Sequence, residues 1–187
     1  DHAFPNPPVP PTVFAMSSPL LPPPAELLAS GVGAVTAQDN RWLRCDIKAI
    51  SLLPNVLLRQ MAVDAGCAET ILIRDDEFMT EGAASNIFVV KNGTLLAPPK
   101  DHLMLPGITY DVVLELAEIH GIAHQVRKIA VAEIFDADEL LLTSSTKEVL
   151  AITQLDGKAV GSGLPGPMFD KIYEYYQEFK RDVMRAK

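Results

Sequence analysis

The chain has 187 residues, 48% of them apolar, with 16 basic against 24 acidic side chains for a net charge of −8. That is one domain's worth of chain with enough apolar residues to close a core, which excludes wholesale disorder. No stretch approaches the roughly 18 uninterrupted apolar residues of a membrane span, and no Lys/Arg cluster offers nucleic-acid phosphates a footprint.

Residues 1–24 carry nine of the fifteen prolines. Each proline fixes φ and removes a backbone donor, so the segment reads as a tail, a linker or the ragged end of something longer. The expected division is a Pro-rich linker over 1–24 and a folded domain over 25–187. Val32 to Ala37 and Arg41 to Ile47 read as strands, with Trp42 in the core. Ser51 to Asp64 reads as a helix with Pro54 in its first turn. Thr70 to Arg74, Ile87 to Lys91 and Thr94 to Ala97 are short apolar runs typical of strands, the last two joined by an Asn92-Gly93 hairpin turn. Tyr110 to His120 reads as a helix ended by Gly121, with Val113, Leu116 and Ala117 on its buried face. A strand over Ala123 to Ile129, a helical turn over Ala132 to Phe135 and a buried strand over Glu139 to Thr143 follow. Leu150 to Leu155 and Lys158 to Val160 flank a second turn, Asp156-Gly157. Met168 to Met184 closes the chain as an amphipathic helix burying Met168, Ile172, Tyr176, Phe179 and Val183. Strands outnumber helices and hairpins outnumber crossovers. The expected class is therefore α+β, a mixed and mostly antiparallel sheet with packed helices.

Two cysteines make no disulfide framework and no signal peptide is visible, so the expected location is the cytoplasm. Cys45 reads as a small core residue, and the cysteines and histidines are too scattered for a metal site. No G-x-G-x-x-G or Walker loop is present. Four segments instead place polar residues at element ends beside Gly, Ser or Thr. In RCDIK, Lys48 is either a solvated amine or, if desolvated in a pocket, a Schiff-base former. In TEGAASN, Glu81 is either part of a surface turn or the single charged partner of a flat ligand lying on small residues. In LPGIT, Thr109 is either an N-cap or part of an anion site built from helix-start amides. In TSST, the hydroxyls form either a plain loop or a set of phosphate donors.

Taken in order, RCDIK, TEGAASN, LPGIT and TSST resemble the motifs of the fold type IV pyridoxal-phosphate aminotransferases, from about His2 to the C-terminal helix. RWLRCDIK followed by LLPNVL is most similar to the D-amino acid aminotransferase branch. The resemblance implies the large C-terminal domain of that fold, pyridoxal 5′-phosphate as cofactor, and amino-acid and 2-oxo-acid substrates. It implies Lys48 as the lysine that holds the cofactor and moves the substrate proton. Glu81 corresponds to the carboxylate at the pyridine nitrogen, and Leu105 to the apolar residue packed on the ring. Gly107, Ile108 and Thr109 correspond to the helix-start phosphate site, with Ser144 and Ser145 closing on the phosphate from the other side.

His2 resembles the histidine of an Arg-x-His element that binds the substrate carboxylate, with Asp1 as the middle residue. The arginine of that element and a smaller N-terminal domain have no counterpart in this sequence. Tyr110 stands where an arginine is common after G-I-T. The resemblance further implies a homodimer and association with an N-terminal domain. Branched-chain L-aminotransferases and aminodeoxychorismate lyase share the Lys48 and Glu81 logic and stand as alternatives, as does an inactive C-terminal fragment.

Overall fold

The computed structural model describes residues 2–185; Asp1, Ala186 and Lys187 lie outside the described residues. Residues 2–24 enter no helix or strand, and their side chains are exposed apart from a half-buried Pro23. A short helix α1 (Ala25–Ser30), absent from the sequence reading, leads into β1 (Val32–Gln38). Helix α2 (Leu53–Asp64) follows, with Pro54 in its first turn where no backbone donor is needed. Next come β2 (Glu69–Arg74), β3 (Phe78–Gly82), β4 (Asn86–Lys91), β5 (Thr94–Ala97) and α3 (Ile108–Ile119). The chain continues through β6 (His124–Val126), β7 (Ile129–Ala130), α4 (Val131–Phe135), β8 (Glu139–Ser144), β9 (Glu148–Leu155) and β10 (Lys158–Ala159). It closes with α5 (Pro167–Phe179) and a π-helical turn over Lys180–Met184.

One mixed sheet runs in the order β6-β5-β4-β8-β9-β1-β2-β3-β7, with β10 added to β9. β1 pairs parallel with β2 and β9, and β5 with β6; the remaining pairs are antiparallel. The α+β expectation holds. Both faces of the central strands are buried, which is why they read as continuous apolar runs and not as alternation. Phe88 and Val90 of β4, with Leu141 of β8, pack under α3 and α5. Ile87, Val89, Leu140 and Leu142 face the other way, into a core shared with Met79 of β3 and Leu96 of β5. Those two residues come from strands far apart in the strand order, so the sheet curls over its own core. The Asn92-Gly93 and Asp156-Gly157 turns form with positive φ at all four residues, as the two-residue hairpins require.

Three expectations fail. Arg41 to Ile47 is a run of turns, not a strand, because Arg41 is drawn inward by buried carboxylates and Cys45 N donates to His102 O at 2.8 Å. Trp42 is 55% exposed and not core. Val183 is 60% exposed, since α5 gives way to the π-helical turn after Phe179 and the helical spacing drifts off the core.

Candidate active site

The chain order brings one corner of the domain together from four elements. Asn86, the first residue of β4, lies opposite Thr143 of β8 in the antiparallel register. Both sit on the strand face of Phe88 and Leu141, the face covered by α3. Asn86 donates from Nδ2 to Leu105 O at 3.0 Å and to Glu81 Oε2 at 3.2 Å. A Cβ placed on Gly107 would lie 2.2 Å from Asn86 Oδ1, so only glycine lets the start of α3 close against that amide.

Helix α3 begins after Gly107, not at Thr109, and no side chain caps it. Its first amides therefore carry no cap, in a 12-residue helix whose dipole favours an anion there. Ile108 is 70% exposed, whereas Thr109 is buried in the first turn beside Tyr176 of α5, which removes the N-cap reading. Ser144 ends β8 with its Oγ accepting from Lys147 N at 3.1 Å, and Ser145 is exposed in the following turn. The Thr143 hydroxyl is buried and has no hydrogen-bond partner among the described residues.

Glu81 is buried in β3. Its Oε1 accepts from Arg41 Nη1 at 2.5 Å and from Leu105 N at 3.1 Å. Burial pushes the Glu81 carboxyl up from its ordinary 4.5 to about 7, against the opposing pull of Arg41 and the Leu105 amide. Arg41 in turn binds Asp39 through Nε and Nη2, each at 2.9 Å. Burial alone would raise the Asp39 carboxyl, but Arg41 and Thr80 outweigh it and hold it below its ordinary value. The sequence reading missed Arg41 and Asp39, whose only signal was a charged pair two residues apart beside an expected strand.

Lys48 lies seven residues beyond Arg41 in the same loop, exposed and without a partner among the described residues. It is not the desolvated lysine at a strand end that the pocket alternative required. The loop is nonetheless tied to this corner, because Cys45 N binds His102 O and Arg41 Nη2 binds Leu103 O at 3.2 Å, two residues before Leu105. Leu105 is half-buried. His2 is exposed within the N-terminal segment, which enters no helix or strand. A depression of about 430 Å³ lined by Thr36, Gln38, Ile73, Asp76 and Phe135, among others, contains none of the expected site residues. Tyr110 serves the core: its hydroxyl donates to Pro98 O at 2.6 Å and its ring stacks on Phe88.

The profile of the family described as Amino-transferase class IV matches residues 2–155. The chain belongs to the class IV aminotransferase family. Within it, this class IV chain is 44% identical over 162 residues to the D-alanine aminotransferase of Bacillus licheniformis, covering 87% of the chain and 56% of that protein. It is 38% identical over 179 residues to a D-alanine aminotransferase of Staphylococcus epidermidis, covering 96% of the chain and 63% of that protein. The chain thus spans between half and two thirds of the length of these curated relatives. Among solved structures it superposes on a putative branched-chain amino acid aminotransferase from Thermotoga maritima with TM-score 0.78 and 31% identity, covering 89% of this chain and 60% of that one. It also superposes on a branched-chain amino acid aminotransferase of T.th. with pyridoxamine 5′-phosphate, with TM-score 0.77 and 27% identity, covering 83% and 52%.

Proposed function

We propose that the protein to which this chain belongs is a pyridoxal-phosphate-dependent aminotransferase that exchanges the amino group of a D-amino acid, such as D-alanine, with 2-oxoglutarate. The observation that carries the reading is a buried carboxylate, Glu81, hydrogen-bonded to the strand and loop that meet the uncapped start of α3. The donor set fits the cofactor. A carboxylate suits a protonated ring nitrogen, and an uncapped helix start with nearby hydroxyls suits a phosphate. Gly107 supplies the close backbone approach.

When bound, pyridoxal phosphate supplies an electron sink for the pair left on the substrate's α-carbon. The rest belongs to this chain's residues. Lys48 Nζ would hold the cofactor, and its amine is the base that would take the proton from the substrate's α-carbon. Glu81 would hold the proton of the ring nitrogen, and a cation beside it would favour its ionised form. Asn86 ties the Glu81 carboxylate to Leu105 O, and Leu105 is the residue that would pack on the ring. The amides of Ile108 and Thr109 would take the phosphate from one side, and Ser144 and Ser145 from the other.

His2 binds the substrate carboxylate in this reading, residues 1–24 link to a smaller N-terminal domain, and a homodimer in the cytoplasm completes the pocket. A branched-chain L-aminotransferase is the second reading, favoured by the superposition on branched-chain enzymes.

Addition of D-alanine to cofactor-loaded protein, followed by visible absorbance, separates the two. Loss of the lysine-bound absorbance with D-alanine and not with L-leucine is expected. Conversion by L-leucine alone overturns D-specificity. Bound cofactor with no response to either amino acid identifies a chain that binds without turning over.

A further inference from the structure

Arg41 is the hub of a buried array of alternating charge: Arg74, Asp39, Arg41 and Glu81. Arg74 Nη2 lies 3.0 Å from Asp39 Oδ2, Arg41 takes both Asp39 oxygens, and the remaining Arg41 nitrogen takes Glu81. The side chains of Asp39, Arg41 and Glu81 are each 6% exposed or less. Two cations and two carboxylates balance, so the array carries no net charge when Glu81 is ionised. The Arg41 fork also reaches Leu103 O, and Arg74 donates to Arg41 O at 3.3 and 3.4 Å. One side chain therefore joins the end of β1, strand β3 and the 101–105 loop at the point where the Lys48 loop begins.

We propose that Arg41 is a positioning residue for the reaction, fixing the orientation of the Glu81 carboxylate while locking the Lys48-bearing loop onto β3. The proposal rests on the reading of Lys48 and Glu81 given under Proposed function and deepens it. Aligning a cofactor ring between a lysine and a carboxylate requires that the two elements bearing them keep one spacing. Arg41 is the direct ion pair between them. A lysine cannot replace it, because three acceptors in different directions, Asp39, Glu81 and Leu103 O, need a planar fork and not a point charge.

The groups that bear on Glu81 are Arg41 and Cys45 from the Lys48 loop, Asp39 from the end of β1, Asn86 from β4 and the Leu105 amide. Of these, Arg41 pulls hardest against the upward push of burial on Glu81. Removing it leaves a buried carboxyl with Asn86 and one amide.

The test uses the whole chain without cofactor, so that it does not depend on turnover. The titration midpoint of the Glu81 carboxyl is read by infrared or 13C NMR, assigned by its loss in E81Q. Amide exchange is followed over residues 42–48. R41M is expected to raise the midpoint by about one pH unit or more and to speed exchange in the loop. R41K, which keeps charge and loses the fork, is expected to speed exchange with a smaller rise. R74M touches Asp39 and not Glu81, and controls for damage to the array: its Glu81 midpoint is expected to stay with wild type.

An unshifted midpoint in R41M, or an equal shift in R74M, overturns the proposal. Should R41M fail to fold, R41K with wild-type midpoint and wild-type exchange overturns it equally. In parallel, pyridoxal phosphate is titrated into wild type. Absence of binding there contradicts the proposed function and leaves the Arg41 readout standing on its own.

Discussion

A Cβ on Gly107 would stand 2.2 Å from Asn86 Oδ1. The φ of Gly107 is −76°, so glycine is needed here for space and not for an unusual backbone. The close approach seats Asn86, and Asn86 in turn bridges Glu81 and Leu105 O.

Gly107→Ala is therefore expected to push Asn86 aside and break that bridge. The cost in stability is about 1–3 kcal/mol from overpacking, read as a lower urea midpoint with unchanged slope. Affinity for pyridoxal phosphate should fall at least about tenfold, since the loss of even one charge-assisted contact is of that size. A Gly107→Ala protein with wild-type stability and affinity would show that the close approach is incidental.

Glu81 makes stability depend on pH in a stated direction. Its folded value of about 7 lies above its ordinary 4.5, so the folded state holds the proton more tightly than the unfolded chain does. Stability of the cofactor-free protein should therefore fall as pH rises from about 4.5 through about 7, by up to about 3 kcal/mol from this group. Asp39, held low, acts in the opposite sense and only at more acid pH. Denaturation midpoints between about pH 5 and 8 should decline in wild type and flatten in Glu81→Gln. A decline that survives in Glu81→Gln would assign the effect to another group.

Thr143 buries a hydroxyl with no partner among the described residues, opposite Asn86 in the strand register. Thr143→Val removes that uncompensated group at nearly constant volume. It should leave the cofactor-free protein as stable as wild type or up to about 1 kcal/mol more so. Thermal unfolding without cofactor checks this, and a loss above about 2 kcal/mol would show that the hydroxyl is satisfied in solution.

Tyr110 is fully buried and serves the core. Tyr110→Phe leaves Pro98 O without its donor and should cost about 1–3 kcal/mol. Covalent attachment of cofactor to Lys48 should be unaffected. Unchanged stability would remove Tyr110 from the set of structural hydrogen bonds.

Most of the fold was legible because its strands bury both faces: runs such as Ile87 to Lys91 and Glu139 to Thr143 declare themselves by composition, and the hairpin turns by Asn-Gly and Asp-Gly. Strand β3 escaped for the converse reason. Its Thr80 and Glu81 are polar yet buried, satisfied by Asp39, Arg41 and Leu105, and hydrophobic patterning cannot mark a strand whose interior positions carry paired charges. The same array explains the failure over Arg41 to Ile47, which reads as a strand in the sequence. Arg41 turns in to its carboxylates and Trp42 is left outside. The family resemblance implied that Glu81, Leu105, Gly107 and Thr109 serve one site. It did not reveal Arg41, because nothing in local spacing tells a solvated arginine from one that binds a carboxylate forty residues on.

The central claim is that Lys48, exposed in a loop anchored by Arg41 and Cys45, is the residue to which pyridoxal phosphate attaches. Borohydride reduction of the loaded protein, followed by protease digestion and mass mapping, tests it most directly. A pyridoxyl phosphate mass is expected on the peptide containing Lys48, abolished in Lys48→Ala. The same mass on Lys147 or another lysine, or labelling that persists in Lys48→Ala, would contradict it.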